Sequence, residues 1–253
     1  MSRLVLLGAR QRARISPYFL LSRGAPRVAG RRVVGGIVYV IRNGLQGKDA
    51  PRGSGPRKPL YDRFIRGRRR GVFDRIFAAR AGGGPKPERA MIDAAHLKAR
   101  RTAASLLKKG LFPRRLGRTQ GGLNATLDAV CGGAGKPLVL LLGEGRMRDR
   151  KGARRRLDAP PPATALVAGR GYDRTWFRNA LAKRGGEPCI PSSKSRKIPP
   201  PYAKALDKQR HKIETMFARR KDWRRVAARC DRRAHAFFSA IWIAATLAFY
   251  LNH

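Results

Sequence analysis

The stretch from Lys204 to Ala228, KALDKQRHKIETMFARRKDWRRVAA, constrains this chain more than any other. Leu206, Ile213, Met216, Phe217, Trp223, Val226 and Ala227 recur at helical spacing, so the segment is expected to form one amphipathic helix with its apolar stripe on a core. Arg210, Glu214 and Lys221 follow one another at steps of four and seven residues. Those steps are close to one and two turns and place the three side chains on one face. Glu214 is the only acid between Asp207 and Asp222. A lone carboxylate among cations is ordinarily a solvated ion pair, and only the rest of the chain gives it further meaning.

That rest is strongly cationic. Lys and Arg number 58 against 15 Asp and Glu, a net charge of +43. A chain this basic repels itself unless phosphates neutralise it, so a polyanionic partner is expected. Nucleic acid comes first and a membrane surface second. A disordered basic tail is disfavoured, because 42% of the residues are hydrophobic and they are spread along the chain. Cys131, Cys189 and Cys230 form no close pairs, which gives neither a disulfide framework nor zinc spacing and suits reduced thiols in a cytoplasmic protein.

No acid precedes Asp49, and the arginine-rich start has the look of an organellar transit peptide. It runs straight into the apolar, periodic stretch Val33 to Ile41, which favours a helical domain. Ala236 to Leu251 carries no charge but falls short of the roughly 20 residues of a membrane span. It reads as a buried C-terminal helix, with a membrane anchor as the alternative.

Taken in order, Val33 to Arg42 is a candidate helix stopped by Asn43-Gly44, and Pro51 to Pro59 is a loop. Leu60 to Ala81 has Leu60, Phe64, Val72, Phe73, Ile76 and Phe77 at helical offsets among arginines. Such a basic helical module suits DNA, and equally a plain packing domain. The glycines at 82–84 and Pro85 break the pattern. The expected division is therefore a helical, basic, DNA-binding domain at 1–81, a linker at 82–88 and a second domain at 89–253.

That second part opens with a strand from Arg89 to Ala94, then a basic helix or loop from Lys98 to Lys109. Gly121 to Val130 and Pro137 to Leu142 read as a hairpin across the glycine-rich turn at 132–135. A helix at 150–157, a strand at Ala165 to Ala168, a helix from Arg174 to Lys183 and a strand from Glu187 to Ile190 follow. A basic, proline-rich loop from Pro191 to Tyr202 leads into the organising helix. Strands and helices in that order predict an α/β fold, a mixed sheet flanked by helices. No phosphate-binding glycine loop is present.

Two-metal phosphoryl transfer needs carboxylates from separate elements converging on two ions about 3.5–4 Å apart. Asp93 lies in the first strand and Glu214 on the last long helix. A third acid would sit after Ala168, and position 169 is Gly169.

At this point the chain closely resembles bacterial insertion-sequence transposases of the DDE type, with their ribonuclease-H-like catalytic domain. The stretches that carry the resemblance are GGIVYVIRNGLQ, YDRFIRGRRRGVFDRIFAA, MIDAAHLKARRTAASLLKKGLFPRRLGRTQGGLNATLDAVC, KPLVLLLGEGRMRDRKGA, GRGYDRTWFRNALAKRG, CIPSSKSRK and QRHKIETMFARRKDWRRVAARCDRRAHAFFSAI. Arg210, Glu214 and Lys221 fit the spacing of the subgroup signature Tyr-x2-Arg-x3-Glu-x6-Lys.

The resemblance implies that Asp93 and Glu214 are catalytic and bind Mg²⁺ or Mn²⁺. It implies that Arg210 and Lys221 contact DNA phosphates at transposon terminal inverted repeats, with target DNA as a further partner and a homodimer left open. The runs around Lys108, Lys109, Arg114 and Arg115, and around Lys194, Arg196 and Lys197, would add electrostatic contacts. It places the protein in the bacterial cytoplasm at the nucleoid, away from membranes.

The departures carry as much weight. Asp207 stands where the signature has tyrosine, and Gly169 where the second catalytic aspartate belongs. Asp128, Arg148 and Arg150 replace an expected histidine, serine and histidine, and Gly47 and Gly67 replace tryptophans. The implied copy is impaired, with weakly bound metal and a loosened N-terminal region. Asp149 and Asp173 are the nearest substitute acids, but Asp173 opens a helix and its carboxylate is expected to point elsewhere. A non-enzymatic basic nucleic-acid-binding protein, such as an organellar ribosomal component, is the alternative.

Overall fold

In a computed structural model the described residues are 7–19, 30–105, 115–145 and 162–251. The helix expected at 150–157 and the residues Lys108, Lys109, Arg114, Arg148, Asp149 and Arg150 lie outside them. The chain forms two compact units. The sequence division cuts the chain once, at 82–88. The compact units interleave, and the helical one draws on 1–80, 100–114 and 220–253 while the sheet unit draws on 81–99 and 115–219.

The sheet unit is an α/β layer built on β1 (Arg89–Lys98), β2 (Gly117–Thr119), β3 (Gly122–Gly132), β4 (Pro137–Glu144), β5 (Ala165–Ala168) and β6 (Glu187–Cys189). β3 pairs antiparallel with β1 on one edge and with β4 and β2 on the other, while β1–β5 and β5–β6 are parallel. The resulting order β4-β3-β1-β5-β6 is that of a ribonuclease-H-like mixed sheet. β5 reads Ala-Leu-Val-Ala and every residue is buried, as expected of a strand with parallel neighbours and covered faces. The predicted hairpin is present. β2 was not foreseen, because its three residues fall in what reads as a basic run.

One sheet face carries Ala90, Ile92, Val130, Leu166 and Ala168, which pack with Tyr172, Phe177, Leu181 and Ile190 into the core. Phe177 and Leu181 come from helix α6 (Thr175–Lys183). Each fully buried side chain of this size contributes about 1.5–3 kcal/mol. The opposite face is covered at β1 by the helix His211–Arg219, whose Ile213, Met216 and Phe217 are buried.

The single helix expected from Lys204 to Ala228 is instead a relay. An α-turn at Lys204–Asp207 (α7) passes through 3₁₀ residues Lys208–Arg210 into His211–Arg219 (α8), and a second 3₁₀ turn covers Arg220–Asp222. Trp223 then leaves helical geometry at φ −107°, ψ 90°, before Arg224–Ala227 (α9). Each 3₁₀ residue advances about 120° rather than 100°, so a face drawn on an unbroken α-helix drifts by tens of degrees.

The helical unit comprises α1 (Ala9–Ile15), α2 (Gly30–Asn43), α3 (Arg57–Arg69), most of α4 (Val72–Gly82), α5 (Arg101–Ala104), α9 and α10 (Ala234–Thr246), the last continuing as a wide turn over Leu247–Leu251. α2 stops where Gly44 takes φ +66°. The segment Leu60 to Ala81 is two helices rather than one, because Gly71 at φ +60° turns the chain where an L side chain would be strained. α10 packs on α2, α3 and α9. The window Ala234–Leu251 has a mean hydropathy of 1.6 over 18 residues, enough by length and composition to cross a membrane, yet 72% of it is buried inside the protein.

At the two positions where tryptophan was expected the outcomes differ. Gly47 faces open space, its nearest neighbour being Arg57 Cγ at 4.0 Å from an added Cβ. Gly67 is buried with the Phe73 ring pressed on it, 2.9 Å from an added Cβ, and Phe64 stacks on Phe73 at 5.7 Å between centroids. The void a lost tryptophan would leave at 67 is filled by Phe73.

Candidate functional site

β1 leaves the core at Asp93. Met91 and Ile92 before it are buried, whereas the Asp93 side chain is 26% exposed. Ile92 pairs in parallel register with Ala168, the last residue of β5, which puts Gly169 beside Asp93 at the strand ends. α8 crosses β1, and the residues at its start reach this point.

Four positions meet there around one guanidinium. Arg210 Nη1 lies 3.0 Å from Glu214 Oε1 and 3.6 Å from Asp93 Oδ2. Arg210 Nε lies 3.8 Å from Asp207 Oδ1. A Cβ added at Gly169 would stand 3.8 Å from Arg210 Nη1, with no closer atom. Gly169 has φ −69° and ψ 166°, ordinary extended backbone. Asp93 Oδ1 accepts a hydrogen bond from the Ala94 amide at 2.8 Å. Side-chain exposures of 32% for Arg210 and 55% for Glu214 leave the cluster in contact with water, so each pair contributes below about 1 kcal/mol.

The structure brings Asp93, Glu214, Arg210 and Gly169 together. Asp207 joins them without having been foreseen as a partner. Its i, i+3 offset from Arg210 was the available signal, masked by its reading as a replaced tyrosine. On the neighbouring strand Cys131 is buried, and burial first, then the Asp93 charge, push its thiol well above the usual range. It is an inert core thiol.

Two divalent ions need several anionic oxygens to displace tightly held water. Asp93, Glu214 and Asp207 offer three carboxylates, all already facing one guanidinium, and Gly169 offers none. Among the described residues no group of three His, Cys, Asp or Glu could hold a metal ion. The residues present do not fit a two-metal centre.

Asp173 behaves differently from the cluster acids. It is buried, accepting from Arg178 Nε at 2.8 Å, the Ser193 amide at 2.7 Å and Arg196 Nε at 3.1 Å. Burial alone would raise its pKa, but those three donors hold it well below the usual carboxylate range. Arg178 also donates to the Ile190 carbonyl at 2.6 Å. Asp173 therefore ties the start of α6 to the end of β6 and to the basic loop, and it is not a displaced ligand.

The remaining expected contact residues scatter by role. Arg196 is taken up by Asp173 and, at 3.4 Å, by Thr175 Oγ1, while Lys194 and Lys197 on the same loop are exposed. Arg115 takes φ +48° and donates to the Leu142 carbonyl at 3.0 Å. Lys221 is exposed in the 3₁₀ turn beyond α8 and belongs to the helical unit.

Residues 9–77 match the family described as putative transposase of IS4/5 family (DUF4096). That match covers well under half of the chain and falls in the helical unit and α4. No curated protein matches in sequence. In structure the chain is similar to piggyBac transposase in its synaptic complex with hairpin DNA, with a TM-score of 0.52 and 9% identity over 95% of this chain and 70% of that one. This likeness shows a shared fold. Similarity to the Mos1 transposase paired-end complex with left transposon end covers 92% of this chain and 82% of that one, at 9% identity and a TM-score of 0.30. At that score it adds no argument.

Proposed function

We propose that this chain is an insertion-sequence transposase by descent, one that binds DNA but whose strand-cutting site is impaired. The observation that carries the reading is the convergence of Asp93, Glu214 and the Gly169 position on the Arg210 guanidinium. The resemblance expects an acid at all three positions. Here two acids remain and a tethered cation lies between them. An unrelated basic nucleic-acid-binding protein has no reason to gather these positions at the end of a ribonuclease-H-like strand pair.

The net charge of +43 supports DNA as the partner. Neutralising backbone phosphates releases counterions, so affinity falls linearly in log–log form with salt. Exposed Lys194, Lys197 and Lys221 contribute to that term. Arg196, held by Asp173, shapes the loop that presents its neighbours.

The test is nicking of DNA carrying the inverted repeats of its own element, in Mg²⁺ or Mn²⁺, by the chain as given and by Gly169→Asp. The expected outcome is background cutting by the first and measurable cutting by the second. If the unmodified chain cuts as fast as Gly169→Asp, the missing-acid argument fails. A flat dependence of log K on log salt would separately remove the DNA-binding half of the reading.

A further inference from the structure

The chain from Pro191 to Ala203 joins β6 to α7 without helix or strand. β1, β5 and β6 run parallel, so this loop leaves the sheet at the end where Gly169 lies beside Asp93. From Pro188 to Leu206 the sequence has four cations and no acid. Ile198, in the second half of the loop, is 84% exposed and is followed by three prolines. Lys194 and Lys197 are exposed with it.

A single exposed apolar side chain is ordinary. Ile198 differs in how it is held. On one side the Ser193 amide and Arg196 Nε donate to buried Asp173 at 2.7 and 3.1 Å, and Arg196 Nη2 donates to Thr175 Oγ1 at 3.4 Å. These bonds lay the loop against the turn that carries exposed Arg174. On the other side the Cys189 thiol donates to the Ala203 carbonyl at 3.3 Å. Both feet of the loop are therefore tied.

The span between the feet is stiff for a covalent reason. Pro199, Pro200 and Pro201 have φ locked by their rings. The residue ahead of each proline, Ile198 included, is confined to extended backbone. Prolines also carry no N–H, so this span can be pressed dry against a partner without stranding three backbone donors.

Charge selects the partner. A net charge of +43, and a loop of cations without acids, meet a polyanion. Lysines that hold backbone phosphates beside a protruding aliphatic group are the chemistry of a wedge driven between base pairs. Water leaves the aliphatic surface on insertion, and a stiff support keeps that gain from being spent on bending the loop.

We propose that Ile198 inserts between two base pairs of bound duplex DNA, with Lys194 and Lys197 on the flanking phosphates and Asp173 holding the loop in position. This rests on the DNA binding proposed above and adds to it a contact that is apolar rather than ionic.

The test uses the full chain and duplexes carrying the inverted repeats of its own element, with a donor and an acceptor dye at the two ends. Insertion of a wedge kinks a duplex by about 20–90°, which energy transfer between the ends reports wherever the kink falls. The variants are Ile198→Ser, Ile198→Leu and Lys197→Gln. The unmodified chain and Ile198→Leu are expected to kink the duplex. Ile198→Ser is expected to lose the kink and to bind about tenfold more weakly at every salt concentration, with an unchanged slope of log K against log salt. Lys197→Gln is expected to keep the kink and to lower that slope by about one unit. The Tm of Ile198→Ser should equal that of the unmodified chain, because the side chain is largely in water before DNA arrives.

Salt-steep binding with the same affinity and the same kink in Ile198→Ser would overturn the wedge and leave DNA binding standing. The apolar tip would then belong to a protein groove of the kind that takes proline-rich segments. Weaker binding by Ile198→Ser without any kink in the unmodified chain would overturn insertion as well, and so would a lower Tm of Ile198→Ser. Absence of salt-dependent binding by the unmodified chain would remove the DNA reading itself.

Discussion

Two groups of acids and arginines in the sheet unit use the same side chains to opposite ends. Around Asp173 the carboxylate is sealed from water and takes one amide and two guanidinium donors at 2.7–3.1 Å. Around Arg210 three carboxylates share one half-exposed guanidinium at 3.0–3.8 Å. The first is a fastener whose members have nothing left to offer a ligand. The second is loose, wet and over-supplied with acid for its single cation. An acid's burial and donor count, rather than its nearness to a vacant position in the sequence, separate scaffold from site.

The largest test of this contrast is Asp173→Ala. It leaves the Arg178 charge buried with a carbonyl but no carboxylate beside it, and it should lower stability by about 3–5 kcal/mol, read as a fall in the denaturant midpoint at unchanged slope. A loss below about 1 kcal/mol would erase the distinction between the two groups.

Acid titration comes next. The folded pKa of Asp173 lies below its unfolded value of about 3.9. Its contribution to stability is therefore complete above about pH 5 and is lost as pH falls through the unfolded value toward the folded one. Asp173→Asn should flatten that acid limb relative to the unmodified chain. An identical limb would show that other groups carry it.

Smaller still, Arg210→Gln removes only water-exposed pairs and should change stability by less than about 1 kcal/mol. A drop comparable to that of Asp173→Ala would make the Arg210 cluster a structural clasp.

Much of this was legible in the chain. β5, the β3–β4 hairpin and α6 follow from runs of apolar residues bounded by glycine, proline and charge. The grouping of Asp93, Glu214 and Gly169 follows from motif order. What could not be read was geometry set by small departures from ideal helices. The 3₁₀ residues around Arg210 and Lys221, and the turn at Gly71, each reset the phase that a periodicity argument assumes to be constant. At Gly67, replacement of an expected tryptophan implied a void, because a sequence comparison does not show that Phe73 fills the same space. The burial of Arg68 near the end of α3 gave no sign at all, since an arginine in a run of arginines reads as surface. Slow, cooperative hydrogen exchange across residues 57–82 is the expected consequence of the Phe73 plug. Rapid exchange there would restore the loosened region that the missing tryptophans imply.

The backbone at Gly169 bears on what that position can accept. Many glycines are locked in place by a left-handed turn or by a neighbour that has grown into the empty space. This one has the extended backbone of an ordinary residue and no atom nearer than 3.8 Å to where a side chain would begin. An aspartate at this position therefore needs neither a change of backbone conformation nor the displacement of a neighbour, and its carboxylate would enter a place that already faces a guanidinium.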